Sequence, residues 1–356
     1  MTTISVKTST EYEVIIDVDL HDRAGAYIHA LIDGEIAAIV TDRVVSALYL
    51  DRLLKSLHKK GFETPVFTLD GGEASKNAYN YISLIEFLAD HKLSRSDVVI
   101  ALGGGVVGDI TGFAAATYLR GIPYVQMPTT LLAAVDASVG GKAGVDIEAG
   151  KNLIGTIYQP RAVLCDCALL EALPPSILTD GCAEIIKYGA ILDRELFCAM
   201  KAFPRINMED IIGRCVQIKA DIVSADEYET GRRKILNFGH TVGHAIELLS
   251  NYHISHGKAV SIGMAIETRA AWKMGVCDQA CYDELIELLH QFGLPYRTGF
   301  SAGEISRAAL MDKKRKGDKI TLVFPEKIGT PTLRKADVVD LEEIIDLGLV
   351  KSGENA

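Results

Sequence analysis

The stretch from Asn237 to Leu249, NFGHTVGHAIELL, sets two imidazoles four residues apart at the start of an otherwise apolar run. On a helix, Asn237, His240, His244 and Glu247 share one stripe, because the intervals are three, four and three residues. Further donors lie in the same half of the chain: His256 in HISHGKAV, and Glu184 in CAEIIKYG beside Lys187. Neutral imidazole nitrogens and one carboxylate make a three-ligand set for zinc, with a fourth position left for a substrate oxygen. The histidine spacing matches that of metalloprotease helices, but Thr241 stands where their general-base glutamate belongs, so peptide hydrolysis is disfavoured. The competing reading is that each histidine is a hydrogen-bonded core residue. The segment leading into the stripe, KADIVSADEYETGRRKILNFGH, adds Lys219, Glu229 and Arg233, either as a solvated charged face or as substrate contacts.

A second chemical signal is DVVIALGGGVVGDITGFAAATYLRG, an apolar run followed by Gly103, Gly104 and Gly105 and then a helical pattern after Gly108. Read from Gly103 it satisfies GxGxxG in a strand, turn and helix context. There, missing side chains admit a pyrophosphate and the amides of a helix start face anionic oxygens. The alternative is a tight turn with close helix packing. The acidic residue expected about 20 residues onward is absent, since that region reads MPTTLL, and Asp42 at the end of IAAIVTD is the candidate in its place. Downstream, MPTTLLAAVDASVGGKAGVDIEAGKNLIG carries Thr129, Thr130, Asp136, Ser138, Lys142, Lys151 and Asn152 among glycines. It reads as a polar surface loop or as a phosphate site.

The elements that must position these groups fall into two kinds. From residue 13 to about 166, short β-branched runs (EVIIDV, IAAIVTD, TPVFTLD, DVVIALGG, YVQMPTT, AVLCDC) alternate with amphipathic helical patterns. This alternation implies a mostly parallel sheet covered by helices. After Leu173 the pattern is helical, with only TLVFPEK and TPTLRK suggesting a hairpin. The expected organisation is an α/β Rossmann-like domain over 1–172 and a mostly α-helical domain over 173–356. No internal repeat or low-complexity tract is visible.

Composition narrows the function classes. A formal charge of −10 opposes nonspecific attraction to nucleic acid or an anionic bilayer, so any phosphate binding is local. With 48% hydrophobic side chains the chain can bury one large core or two ordinary ones. Seven cysteines without a CxxC pair fit a reducing cytosol. Neither a leader pattern nor an apolar run of about 18 residues is present, so a soluble, unprocessed protein without a membrane partner is expected.

Together these motifs resemble the 3-dehydroquinate synthase family, the NAD- and metal-dependent sugar phosphate cyclases of the shikimate pathway. The likeness is nearly chain-long. It runs from DGGEASK through ALGGGVVGD, PTTLLAAVDASVGGK, GKNLIGTIYQP, AEIIKYG, ADEYETGRRKILNFGHTVGHAIE and HGKAV to DKKRKG. The resemblance implies an active site between a cofactor domain and a helical domain, in a cytoplasmic homodimer. It implies the metal ligands Glu184, His240 and His256, for zinc or cobalt, leaving His244 for the substrate. The implied NAD site draws on Asp42, Gly71, Glu73, Lys76, the turn Gly104, Gly105, Val106, Val107, Gly108 and Asp109, then Thr129, Thr130, Lys142 and Lys151. Leu169, Leu170, Glu171 and Ala172 would close one side of it. Implied substrate contacts and catalytic groups are Asp136, Lys142, Asn152, Lys187, Lys219, Glu229, Arg233, Asn237, His244 and Lys314, the last preferred to Lys313, with Arg120 reaching the partner subunit's phosphate site.

The implied reaction takes 3-deoxy-D-arabino-heptulosonate 7-phosphate to 3-dehydroquinate and phosphate. It proceeds by transient oxidation at a secondary alcohol, β-elimination of phosphate, return of the hydride, ring opening and an internal aldol closure. Rival expectations are a cyclase making 2-deoxy-scyllo-inosose or 2-epi-5-epi-valiolone, a metal-dependent polyol dehydrogenase that would accumulate NADH, and a catalytically silent NAD-binding regulator. Ala143 and Asp146 depart from the family pattern and bear on fine positioning only.

Overall fold

The computed structural model describes residues 1–148, 150–203, 207–311 and 318–350. The chain divides into two compact units, Met1–Pro174 with Met208–Tyr228, and Pro175–Asn207 with Glu229–Ala356.

In the first unit the strands are β1 (Thr2–Val6), β2 (Tyr12–Asp17), β3 (Ala37–Asp42), β4 (Val66–Leu69), β5 (Val98–Gly103), β6 (Tyr124–Pro128), β7 (Lys142–Ile147), β8 (Gly150–Ile157) and β9 (Ala162–Asp166). Seven of them form one sheet in the order β1-β2-β9-β6-β5-β3-β4, all neighbours parallel except the antiparallel pair β1 and β2. Parallel strands are covered on both faces, and β5 (VVIALG) is accordingly buried at every residue. Alternate side chains enter opposite cores. Ile39 and Ile100 pack with α1 (Leu20–Leu31) and α2 (Arg43–His58), whereas Val40 and Val99 pack with α3 (Ala78–Asp90) and α4 (Gly105–Thr117).

The chain places β4 on one side of β3 and then returns to lay β5 on the other, so the strand order reverses between β3 and β5. Ligands of open α/β sheets bind outside the carboxyl ends of the strands at such a reversal. Asp42 ends β3 and Gly103 ends β5 at that point.

Two features of this unit depart from the expectations. The stretch expected as a loop contains the antiparallel hairpin β7–β8, whose backbones approach so closely that a Cβ on Gly144 would sit 2.7 Å from the Ile154 carbonyl oxygen. Its glycines hide the period-2 signal. The helix Met208–Ala225, expected in the second domain, belongs to the first unit: Ile212, Cys215, Val216 and Val223 are buried on its inner face and it packs on β1 and β2. Numbering in chain order, it is α7, after α5 (Pro175–Leu192) and α6 (Arg194–Met200). An amphipathic helix matches any apolar surface of the right width, so periodicity alone did not say which sheet or bundle it covers.

The second unit contains α5, α6, α8 (His240–Leu249), α9 (His256–Lys273), α10 (Gln279–Gln291), α11 (Ala302–Met311), the expected hairpin β10 (Lys319–Lys327) with β11 (Thr330–Asp337), and α12 (Leu341–Gly348). Val242, Ile246, Ile262, Ile266, Ile305, Phe324, Leu341 and Ile345 share one core. Among the described residues no helix is long and apolar enough to cross a membrane.

Candidate active site

The metal-type cluster lies within the second unit. Glu184 is on α5, and His240 and His256 are the first residues of α8 and α9. Close helix approach sets their convergence. A Cβ on Gly263 would lie 1.9 Å from the Gly239 carbonyl oxygen, and one on Gly257 would lie 2.2 Å from that of Asp180, so only glycine lets α9 come this near to α8 and α5. His240 Nε2 and His256 Nε2 stand 3.5 and 3.4 Å from the same oxygen, Glu184 Oε1. Tetrahedral bonds of ~2.1 Å to a zinc-like ion give ligand separations of about 3.4 Å, so these spacings fit such an ion. The chemistry of the donors fits as well. Glu184 is fully buried, its Oε2 against Lys187 Nζ and its Oε1 facing both imidazole nitrogens, so Oε1 and the two Nε2 atoms form a carboxylate and imidazole donor set of the kind that zinc takes. His240 Nδ1 donates to the Phe238 carbonyl oxygen at 3.0 Å, which leaves its Nε2 lone pair toward Glu184. Burial opposes protonation of His256, but Glu184 and Glu247 outweigh it and push the imidazole pKa up to about 10, so a cation must displace a proton there.

The other sequence-derived residues of this unit divide in two. Lys187 Nζ is buried against Glu184 Oε2, and the His244 ring lies 5.5 Å from His240 and 6.0 Å from His256. Asn237 is not on the histidine helix, as the stripe implied. It ends the 3-10 turn Arg232–Asn237, and its side-chain amide donates to Glu229. The helix starts later because Gly239, at φ 74°, breaks the run. Glu229 is itself in the left-handed region at φ 56°, and Arg233 is buried in the turn. Lys314 lies outside the described residues.

In the first unit, four of the expected cofactor residues form one ion-pair network. Lys76 Nζ is 2.8 Å from Asp109 Oδ2 and 3.6 Å from Glu73 Oε1, which Lys151 Nζ also meets at 3.0 Å. Burial disfavours the charge on Lys76, but Asp109 and Glu73 outweigh it and raise the ammonium pKa; burial likewise pushes the Asp109 carboxyl up against the pull of Lys76. Asp42 caps α2, its Oδ1 accepting from Val44 N and Val45 N, and a Cβ on Gly71 would touch the Asp42 side chain at 3.6 Å. Gly103, Gly104 and Gly105 are not in the positive-φ region. The glycine at 103 serves close packing, because a Cβ there would meet Val107 at 2.6 Å, as one on Gly108 would meet Gln126.

Val106 is partly exposed at the start of α4. Thr129 N donates to the Gly103 carbonyl oxygen and Thr130 Oγ1 accepts from Ala133 N, which ties the end of β6 to the glycine turn. Leu169 and Leu170 are buried in the turn after β9, with Glu171 and Ala172 exposed. Asp136 sits in a π-helical turn, Ala133–Ala137, and Lys219 from α7 pairs with its carboxylate while donating to its carbonyl oxygen at 2.6 Å. Lys142 begins β7 exposed, and Asn152, at φ 51° in β8, donates its backbone N–H to Asp146. Arg120 follows Leu119, the two at φ 65° and 49°.

Sequence reasoning missed Asp180 and Glu267. Asp180 Oδ1 accepts from Ser255 Oγ and Lys258 N at the start of α9, and Glu267 Oε2 accepts from Gly239 N at the start of α8. Each caps a helix that follows or precedes it by tens of residues, so no local capping pattern points to it.

Comparison with known proteins gives a consistent result. The profile described as 3-dehydroquinate synthase N-terminal matches residues 66–180, and that described as 3-dehydroquinate synthase C-terminal matches residues 181–315. The chain is 42% identical over 335 residues to the 3-dehydroquinate synthase of Clostridium beijerinckii, covering 92% of this chain and 95% of that protein. It is 41% identical over 341 residues to that of Caldanaerobacter subterraneus subsp. tengcongensis, covering 93% and 94%. Among solved structures it is similar to the 2-epi-5-epi-valiolone synthase of Streptomyces hygroscopicus subsp. jinggangensis 5008 with NAD+ and Zn2+ bound (TM-score 0.87, 25% identity, 96% of this chain and 98% of that one). It is also similar to a 2-deoxy-scyllo-inosose synthase complexed with carbaglucose-6-phosphate, NAD+ and Co2+ (TM-score 0.86, 25% identity, 98% and 100%). The chain belongs to the 3-dehydroquinate synthase family.

Proposed function

We propose that the chain converts 3-deoxy-D-arabino-heptulosonate 7-phosphate to 3-dehydroquinate and inorganic phosphate, as a carbon–oxygen lyase of aromatic amino acid biosynthesis that uses NAD and one zinc or cobalt ion. The observation that carries this reading is the convergence of Glu184, His240 and His256, with ligand atoms within 4.8 Å of one another, in a chain 42% identical to a 3-dehydroquinate synthase. When bound, NAD supplies a reversible hydride acceptor and the cation a Lewis acid for the substrate hydroxyl.

The chain's own residues bind, orient and move protons. Glu184, His240 and His256 hold the cation. Asp42 at the end of β3, the turn from Gly104 to Asp109 and the Lys76 network hold the dinucleotide. Lys142, Asn152, Asn237 and His244 fix the substrate phosphate, and His244, one helical turn from a ligand, is the proton-transfer group. Lys187, Lys219, Arg233 and Lys314 hold the substrate carboxylate or stabilise the enolate; Asp136 sets Lys219, and Glu229 sets Asn237, through direct contacts. Left-handed backbone at Asn152, Glu229 and Arg120 supports functional placement, since strain of this kind collects at ligand-contacting positions. Arg120, on an exposed turn, would serve the partner subunit of a homodimer.

The test incubates purified protein with the heptulosonate phosphate, NAD and Zn2+ or Co2+, and follows phosphate and absorbance at the NADH band. Phosphate release without NADH accumulation is expected. Stoichiometric NADH build-up would instead identify a dehydrogenase, and phosphate release only from sugar phosphates lacking a carboxylate would identify another cyclase.

A further inference from the structure

Glu247 has no part in the proposed ligand set, yet it is buried, and its Oε2 lies 3.4 Å from His256 Nδ1. The opposite nitrogen of the same ring, Nε2, faces Glu184 Oε1 at 3.4 Å. A proton on Nδ1 leaves the lone pair on Nε2, so a carboxylate at Nδ1 selects both the tautomer and the rotation that present Nε2 to a cation. His240 is held by a neutral carbonyl, that of Phe238, whereas His256 is held by a full negative charge. Glu247 lies two helical turns after His240 on α8, so that helix carries one ligand and the group that orients the other.

We infer that Glu247 is a positioning residue, holding the Nδ1–H of His256 and raising the donor strength of its Nε2; this rests on the metal-centre reading above. His244, Glu247 and His256 also bring ligand atoms within 4.8 Å of one another. A direct-ligand role for Glu247 at a second ion is therefore the alternative to exclude.

The test titrates Co2+ into the full chain, its Glu247→Gln variant, the His256→Ala variant and the double variant. Binding is read by competition with a chelator and by visible absorption of bound Co2+. Glu247→Gln is expected to weaken binding about 10–100-fold, to shift the visible bands, to keep one ion per chain, and to leave the melting transition of the metal-free protein in place. In the His256→Ala background the same change is expected to have no further effect. Unchanged affinity and spectrum in Glu247→Gln would overturn the inference. So would an equal loss without His256, two ions per chain, or a metal-free Glu247→Gln variant that no longer folds. A wild-type chain that binds no Co2+ would overturn the metal-centre reading itself.

Discussion

Asp180 and Ser255 are joined by a 2.6 Å hydrogen bond, and the same Asp180 oxygen accepts Lys258 N at 3.2 Å. A side chain of α5 thus caps α9, whose first residue is the metal-type ligand His256. Glu184, the carboxylate of the cluster, follows Asp180 by one turn on the same helix. A polar contact next to the ligands therefore supports the register between carboxylate and imidazole, together with the close helix approach at Gly257.

Asp180→Ala is expected to lower stability by about 1–2 kcal/mol, as loss of an N-cap does, and to weaken metal binding through displacement of His256. Urea unfolding of the metal-free protein measures the first effect, and a Zn2+ competition titration the second. A variant that loses stability but binds the ion as before would show that His256 is held by other contacts.

Removal of a ligand must exceed removal of a supporting residue. Glu184→Gln and His240→Ala are each expected to reduce metal affinity by more than the ~100-fold upper range seen for orienting partners, and to bring phosphate release to background. Chelator-treated wild type is expected to lose turnover and to regain it with Zn2+ or Co2+. Full turnover after verified metal removal would contradict the assignment of these three residues.

Much of this architecture was legible because it is written locally. Fully apolar β-branched runs marked β3 and β5, the glycine cluster marked the turn at the strand-order reversal, and the His240/His244 spacing marked the start of α8. What was not legible depends on contacts across long stretches of chain. The hairpin β7–β8 is built from glycine pairs that pack backbone on backbone, so no alternating apolar pattern announces it. The α7 helix has an inner face suited to either unit, and Asn237 falls outside α8 because of one glycine. Asp180 and Glu267 act as caps at distances of 75 and 28 residues, where composition carries no signal.

The end of β9 predicts a pH dependence of folding. The Asp166 carboxylate accepts from Asp19 N, His21 N, Ala168 N and His21 Nδ1 at 3.0 to 3.2 Å. Burial pushes its pKa up, but these hydrogen bonds from His21 and its neighbours outweigh it and leave the carboxyl below its ordinary value. A depressed folded-state pKa stabilises the fold above the unfolded value of about 3.9, and that contribution is lost as pH falls through the folded value. Asp166→Asn is expected to cost about 2 kcal/mol near pH 7, from weakened charge-assisted hydrogen bonds. The gap between variant and wild type is expected to narrow below pH ~4. Urea midpoints across pH 3 to 8 read it out; a gap that stays constant with pH would show that Asp166 acts through shape alone.

The ion pair of Lys76 with Asp109 separates stability from cofactor binding. Its side chains are 5% and 23% exposed, so removing one partner leaves a poorly solvated charge. Lys76→Met is expected to destabilise by about 3–5 kcal/mol, whereas Lys76→Met with Asp109→Leu is expected to recover most of that loss, because an apolar pair of similar volume needs no compensation. Affinity for NAD, measured by calorimetry, is expected to fall in both variants, since Glu73, which also meets Lys151, loses the Lys76 charge in either case. Recovery of NAD binding along with stability in the double variant would mean that the network holds the fold at the strand-order reversal and leaves recognition of the dinucleotide to the glycine turn.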